Sequence, residues 1–289
     1  MRVVKCEQSF DGIRVRYFVY TPRGEVVRRA AFVCSMLGDS KCWDRLCRKL
    51  CASGVLCVTI ELPGFGTTPV KAPQDNITRA RIFWGILDDV EESRHESGCA
   101  WHLVSHGSAC GAILEMTCME PKSVLSRTLI SPVTDRFTDR FTGLLPTTGL
   151  GQRLIKLWYG FAAENRSRFD KKVGALYGTE LSESRLSLLY REFVRRGRVN
   201  TLINLFENGY KITRKAFKAQ TRIMIISGSR DRVFGSKLSE KYTHDMPEIE
   251  IHLLPCAHMA METNPDEVYD YLSGWFEFTE GKMKQPKRT

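Results

Sequence analysis

The stretch AWHLVSHGSACGAILE, residues 100–115, decides the fold of this chain. It opens with an apolar run that predicts a buried strand, breaks into small residues, and continues as a helical pattern. Small side chains allow a sharp strand-to-helix turn, and such a turn lifts one side chain clear of a sheet as a nucleophile. The spacing of the small residues over 105–109 places Gly107 at the tip of this turn. The stretch therefore predicts the scaffold of a catalytic elbow, although glycine offers no side chain to react.

Outside this stretch, apolar runs and helical patterns alternate along the chain. A hairpin is predicted over 2–20, and further strands are predicted over 29–35, 55–62, 125–133, 221–228 and 249–254. Helices are predicted over 42–52, 78–92 and 265–276, where apolar residues recur with a helical period. This alternation is typical of an α/β protein with an open, mostly parallel, doubly wound sheet.

The strand signal stops between residues 134 and 219, where only helical patterns continue. We therefore predict an α/β core formed by 1–133 and 220–280, with a helical cap, 134–219, inserted after the sixth strand. The last residues, 281–289, are predicted to form a disordered basic tail.

Composition favours a soluble protein with reduced thiols. The chain has 289 residues and a net charge of +10, and its first residues, MRVVKCEQSFDG, lack the apolar core of a signal peptide. No apolar run reaches the length of a transmembrane helix. The ten cysteines fall mostly inside or beside predicted core elements, and Cys42, Cys47 and Cys51 lack the CxxC spacing of a zinc site. We therefore expect a cytoplasmic protein without a bound metal.

The positive charge is concentrated in the predicted cap. Residues 151–220 hold fifteen basic and six acidic residues. Their net charge, fifteen minus six or +9, accounts for nearly all of the chain's net charge of +10. Such a surface suits an acidic head group, an acidic carrier protein, coenzyme A or an anionic lipid surface. A solvated helical face is the alternative interpretation. No nucleic-acid recognition motif is present, so nucleic acid is not an expected partner.

Two further loops follow the ends of predicted strands, where the active sites of open α/β sheets lie. Asp231 follows the strand at 221–228, and His258 follows the strand at 249–254. Nucleophile, acid and then histidine is the chain order of one known triad, in which the acid orients the histidine and the histidine moves a proton. We therefore predict a site that combines Asp231 and His258 with the elbow.

The motifs in these loops resemble those of the α/β-hydrolase superfamily over nearly the whole chain. The matching segments are CSMLGDSKCW at 34–43, ELPGFGTTP at 61–69, LVSHGSACG at 103–111, GSRDRV at 228–233 and AHMAMETNP at 257–265. The type resembled is the small capped esterase, lipase and thioesterase group, with epoxide hydrolases and dehalogenases as relatives.

The resemblance implies a role for each site residue. The family's nucleophile corresponds to Gly107, its acid to Asp231 and its histidine to His258. The backbone N–H groups of Met36 and Ser108 correspond to the donors of the oxyanion hole. Family glycines at 35, 105, 109 and 110 are replaced here by Ser, Ser, Ala and Cys, and we expect the Ser and Ala residues to be tolerated.

The resemblance also implies the kind of ligand. We expect a small-molecule acyl ester or thioester as substrate, and no metal or organic cofactor. The aromatic residues of the predicted cap suit an apolar acyl chain. Leu37, Trp158 and Met259 are expected to contact that substrate.

Four interpretations of the elbow are open at this point. In the first, Ser108 is the nucleophile after a shift of one residue. In the second, Gly107 is the natural tip, and the protein keeps the pocket for binding or uses His258 as a base. In the third, Gly107 is an engineered replacement of serine, and in the fourth, Cys110 is the nucleophile. The leading hypothesis is a serine-hydrolase-type esterase, lipase or thioesterase, and the alternative is a catalytically impaired or non-hydrolytic binding protein of the same fold.

Overall fold

The computed structural model describes residues 1–10, 12–35, 39–65, 74–133, 148–209, 211–217, 222–233 and 249–281. Its strands are β1 (Arg2–Phe10), β2 (Ile13–Thr21), β3 (Arg28–Val33), β4 (Val55–Ile60), β5 (Trp101–His106), β6 (Val124–Ile130), β7 (Ile223–Gly228) and β8 (Ile249–Leu254). Its helices are α1 (Asp44–Ala52), α2 (Asn76–Glu92), α3 (Cys110–Met119), α4 (Gly149–Ala163), α5 (Arg166–Tyr177), α6 (Glu183–Phe193), α7 (Arg198–Asn208), α8 (Arg214–Phe217), α9 (Ala260–Thr263) and α10 (Pro265–Thr279).

One eight-stranded sheet, in the order β1-β2-β4-β3-β5-β6-β7-β8, forms the centre of the protein. β1 pairs antiparallel with β2, and β2 antiparallel with β4, so the N-terminal hairpin lies at one edge. The remaining strand pairs are parallel. Every residue of β4, β5 and β7 is buried, as expected for parallel strands with helices on both faces. The predicted doubly wound α/β sheet is therefore confirmed.

Helices cover both faces of the sheet and enclose two apolar cores. On one face, α2 and α3 bury Phe83 and Ile113 against the strands. On the other face, α1 and α10 bury Leu46 and Leu272. Asp75 caps the start of α2 by accepting a hydrogen bond from the backbone N–H of Thr78. These two layers hold the carboxyl ends of the parallel strands in fixed positions.

Helices α4 to α8 lie between β6 and β7 in the chain, where the sequence predicts the helical cap. Arg185 of α6 joins this segment to the core, because its guanidinium lies 2.9 Å from Asp39 and 2.8 Å from Glu262. The predicted cap boundaries fall within 134–147 and 218–221, which lie outside the described residues, as do residues 282–289 of the predicted tail.

Within the described ranges, no helix combines the length and the apolar character needed to cross a membrane. All ten cysteines lie in these ranges, and each of them is a free thiol. Cys34, Cys57, Cys110 and Cys256 are buried, in agreement with their predicted places in or beside core elements.

Candidate active site

The predicted elbow is a left-handed turn between β5 and α3. β5 ends at His106, and Gly107 has φ +58°, a conformation that favours glycine because it crowds a Cβ atom. Residues 107–109 form one 3₁₀ turn, and α3 begins at Cys110. The structure therefore places Gly107 at the tip of the turn, at the carboxyl end of a central strand.

His258 and Asp231 come together beside this elbow. Nδ1 of His258 lies 2.8 Å from Oδ2 of Asp231, and the aspartate side chain is fully buried. The second carboxylate oxygen accepts a hydrogen bond of 2.8 Å from the backbone N–H of Val233. An ionised aspartate is an acceptor only, so Nδ1 of His258 carries the proton and Nε2 is left to accept one. This is the arrangement of a general base and its orienting acid.

The imidazole of His258 lies close to position 107. A Cβ atom placed on Gly107 would lie 3.8 Å from Nε2 of His258. A hydroxyl attached to that carbon would lie within reach of the imidazole, as the nucleophile of a triad does. Position 107, which holds a glycine, is therefore within reach of the imidazole.

Ser35 fills the space beside Gly107. Its Cβ would lie 2.9 Å from a Cβ atom on Gly107, and its Oγ would lie 3.2 Å from it. The expectation that a serine at position 35 is merely tolerated is therefore incomplete, because this serine crowds the position that a nucleophile needs. The replacement of the family's glycine by Ser35 is visible in the sequence. The contact of Ser35 with Gly107 is visible only in the three-dimensional structure.

His106 links Ser35 to the histidine loop. Its Nε2 lies 3.1 Å from the backbone oxygen of His258, and its Nδ1 lies 3.0 Å from Oγ of Ser35. A carbonyl oxygen only accepts, so Nε2 of His106 is the protonated nitrogen and the Ser35 hydroxyl donates to Nδ1. Burial, followed by the neighbouring His258, lowers the pKa of His106 from 6.5 to about 3. His106 is therefore a neutral, structural histidine near pH 7.

The remaining candidates for the nucleophile have different surroundings. Ser108 is 7% exposed, and its Oγ finds no hydrogen-bond partner among the described residues. Cys110 is fully buried at the start of α3, and burial raises the pKa of its thiol to about 12. A thiol that stays protonated is a poor nucleophile. Met36 and Leu37, predicted as an oxyanion donor and a substrate contact, lie outside the described residues.

A cavity of about 300 Å³ lies under the cap helices and is lined mainly by apolar side chains. Trp158, which the sequence predicts as a substrate contact, is one of the residues that line it. Met259 is buried and is not among the side chains that line this cavity, although it belongs to the same apolar core as Phe169 and Val173 of the cavity wall. Leu176 lines the cavity, and its carbonyl accepts a hydrogen bond of 2.9 Å from the backbone N–H of His258. The cavity and the His258 loop are therefore direct neighbours.

Charged side chains occupy one part of the cavity wall. Arg198 is buried, and it donates to the backbone oxygen of Gly64 and, at 3.2 Å, to the carboxylate of Glu192. Burial lowers the pKa of Arg198. These contacts, which sequence reasoning missed, neutralise the polar part of a cavity that is otherwise apolar. In the described part of the chain, no three His, Cys, Asp or Glu side chains gather as metal ligands.

The sequence and the fold were compared with known proteins. The sequence pattern of the Alpha/beta hydrolase family matches residues 32–271. A search of the curated proteins found no match. Among solved structures, a membrane phospholipase A described as a bacterial virulence factor aligns with a TM-score of 0.76 at 17% identity, over 96% of this chain and 87% of that one.

Two other solved structures have the same fold. The Cif epoxide hydrolase from Acinetobacter nosocomialis aligns with a TM-score of 0.76 at 14% identity, over 94% of this chain and 88% of that one. A serine hydrolase involved in carbazole degradation aligns with a TM-score of 0.72 at 15% identity, over 96% of this chain and 100% of that one. Likeness at such low identity concerns the fold alone. Because the family pattern covers most of the sequence, the chain belongs to the alpha/beta hydrolase family.

Proposed function

We propose that this protein binds an apolar small molecule in the cap cavity, beside the His258–Asp231 pair, without forming a serine acyl-enzyme at the elbow. The observation that carries the proposal is the combination of Gly107 at the tip with Ser35 packed against it. A triad nucleophile would need the space that Ser35 occupies. The change at the tip is therefore accompanied by a second change that closes the vacated space.

The cavity supports the binding half of the proposal. Its volume of about 300 Å³ lies at the small end of the range for ligand pockets. Its wall is apolar apart from a few charged side chains, of which Arg198 and Glu192 neutralise each other. A neutral or weakly polar molecule with a hydrocarbon body fits this lining better than a sugar or a nucleotide does.

A molecule bound in the cavity would lie next to a potential base, the imidazole of His258. Nε2 of His258 can take a proton from a bound acid or hold a water molecule for attack. Loss of a triad serine lowers turnover on the order of a millionfold, so hydrolysis by the usual acyl-enzyme route is not expected. Any reaction in this protein would then depend on His258 acting as a base without a covalent partner.

A second candidate is a serine-type esterase or thioesterase that uses Ser108. One observation favours it, since the Oγ of Ser108 is buried next to the tip and finds no partner among the described residues. A small shift of the turn would be needed to bring that hydroxyl to His258. The substrate would then be an acyl ester or thioester, with the acyl chain in the same cavity.

Intact mass after incubation with a fluorophosphonate distinguishes the two candidates. The unmodified protein and Ser108→Ala are both expected to gain no adduct, and calorimetric titration with dodecanol is expected to show saturable binding. An adduct that disappears in Ser108→Ala would overturn the first candidate in favour of the esterase. Absence of both an adduct and dodecanol binding would contradict both candidates.

A further inference from the structure

Helix α4 exposes an apolar stripe to solvent. Of the ten large apolar residues that are exposed in the described part of the chain, half lie on this helix: Leu150, Leu154, Leu157, Trp158 and Phe161. At about 100° per residue, these five positions fall within an arc of about 100°. Leu150 and Leu157 are 71% and 70% exposed, whereas Tyr159 and Ala162 on the inner side are buried. Both the inner and the outer sides of α4 are therefore apolar.

Basic side chains of α5 lie over one border of the stripe. The guanidinium of Arg168 lies 3.6 Å from the centre of the Phe161 ring. The ammonium of Lys172 lies 5.0 Å from the centre of the Trp158 ring. Both cations are exposed, so they cover the aromatic faces while their charges meet solvent.

One further cation follows the other border. Arg153 is exposed on α4 itself, about 40° from Leu157 around the helix, whereas Lys156 is exposed about 100° from Leu157, towards the inner side. Three acidic residues lie nearby. Asp170 is bound by Arg166 at 2.7 Å, Glu207 accepts a hydrogen bond from the side chain of Gln152 on α4, and Glu164 directly follows α4. The stripe is thus bordered by three exposed cations, Arg153, Arg168 and Lys172.

We propose that α4 docks this protein on an anionic lipid bilayer. In this arrangement the stripe enters the boundary between head groups and acyl chains, and the three bordering cations lie at the level of the phosphates. A helix that lies in the membrane plane has this combination of bulky apolar residues and flanking basic residues. Two copies joined stripe to stripe would bring the same cations together, and that repulsion disfavours self-association as the use of this face.

The docking face is continuous with the cavity. Trp158 belongs to the stripe and also lines the cavity, and its neighbours Tyr159 and Ala162 line the cavity from the inner side of α4. One helix therefore separates the bilayer from the cavity. Docking of α4 on the bilayer does not depend on what the cavity binds. A protein docked in this way would offer an apolar ligand a short route from the lipid to the cavity.

Tryptophan fluorescence of the full chain reports directly on this docking. Trp158 is 47% exposed, while the other four tryptophans are at most 8% exposed. We expect vesicles of equal parts phosphatidylcholine and phosphatidylserine to shift the emission to shorter wavelength and to sediment the protein. Vesicles of phosphatidylcholine alone are expected to do neither at physiological salt, because the cations then lack their partners.

Three variants separate the apolar and the charged contributions. In Leu150→Ser/Leu157→Ser, affinity for the mixed vesicles is expected to fall about tenfold or more for each leucine. Neither leucine lines the cavity, so the fold and dodecanol binding are expected to survive. Arg153→Gln/Arg168→Gln is expected to lose about fivefold for each charge. Leu253→Ser removes a leucine that is 48% exposed on β8, and this matched control is expected to change nothing.

Three results would overturn the proposal. The first is the absence of any fluorescence or sedimentation response to the mixed vesicles. The second is a response that Leu150→Ser/Leu157→Ser leaves intact, since binding would then follow charge alone. The third is a dimer in sedimentation equilibrium that the same double variant converts to a monomer, which would assign the stripe to self-association.

Discussion

Ser35 and Gly107 compete for one position in space, because a Cβ atom on Gly107 would stand 2.9 Å from the Cβ atom of Ser35. The two residues lie on different loops and are both departures from the pattern of the hydrolases that the sequence resembles. Each departure is small on its own. Together they convert the nucleophile's place into a closed, packed contact.

The first prediction concerns the repair of this site. Gly107→Ser alone is expected to cost about 1–3 kcal/mol of stability and to stay unlabelled by a fluorophosphonate, because Ser35 crowds the new side chain. Ser35→Gly/Gly107→Ser frees that space and is expected to gain one adduct, measured by intact mass. Adding His258→Ala to the double variant is the control and should abolish the adduct. Labelling of the single variant at the rate of the double variant would show that Ser35 does not obstruct the site.

The second prediction concerns stability in acid. The pKa of His106 falls from an ordinary value of 6.5 to about 3 in the folded chain. Below pH 6.5, His106 therefore binds more protons in the unfolded chain than in the folded one. The free energy of unfolding keeps its full value with respect to His106 above pH 6.5 and decreases progressively as the pH falls towards 3. At pH 5 the loss reaches about 2 kcal/mol.

Denaturant unfolding at pH 7 and pH 5 checks this expectation. His106→Gln is the matched control, because glutamine can keep a donor and an acceptor in place without titrating in this range. The free energy of unfolding of the unmodified protein should fall by about 2 kcal/mol more than that of the variant. An equal fall in both proteins would mean that His106 is not held neutral by its surroundings.

The third prediction concerns the attachment of the cap. Arg185 bridges Asp39 and Glu262, and all three side chains are less than 20% exposed. Arg185→Met leaves two partly buried carboxylates without their cation and is expected to destabilise the protein by about 2 kcal/mol. Arg185→Lys keeps the charge but loses the forked geometry, so its loss should be smaller. Hydrogen exchange in α5 and α6 should rise in the same order, and unchanged exchange in Arg185→Met would contradict a joining role.

The fourth prediction concerns the cavity. Val173 lines it and is buried on α5. Val173→Phe places a ring in the cavity, so dodecanol affinity measured by calorimetry is expected to fall about tenfold or more, with a small change in melting temperature. Val173→Ala enlarges the cavity and should keep binding. Equal affinity in the phenylalanine and alanine variants would place the ligand elsewhere.

The fold and part of the site could be predicted from local patterns. The elbow and the Asp231 and His258 loops each follow an apolar strand, and the carboxyl ends of parallel strands meet at one edge of a sheet. The contact of Ser35 with Gly107 could not be predicted in this way. Ser35 and Gly107 are far apart in sequence, and their spacing does not indicate that they are in contact.

The same limit applies to the cap. The helical period predicts that α4 has an apolar side, but not that its outer side is apolar as well, because packing decides which side is buried. Met259 and Phe169 belong to the same apolar core, but only Phe169 lines the cavity, and no local pattern distinguishes the two. The salt bridge from Arg185 to Asp39 joins residues 146 positions apart and has no local signature.

The hydrogen bond from the backbone N–H of His258 to the carbonyl of Leu176 joins the base to the last turn of a cap helix. Next to it, the hydroxyl of Tyr177 donates a second hydrogen bond, 2.6 Å long, to the carboxylate of Glu262. Any movement that carries α5 away from the sheet must break both bonds and release the loop that aims the imidazole. The helix that lines the cavity and the loop that carries the base are therefore held by the same pair of hydrogen bonds, so a displacement of one would be transmitted to the other.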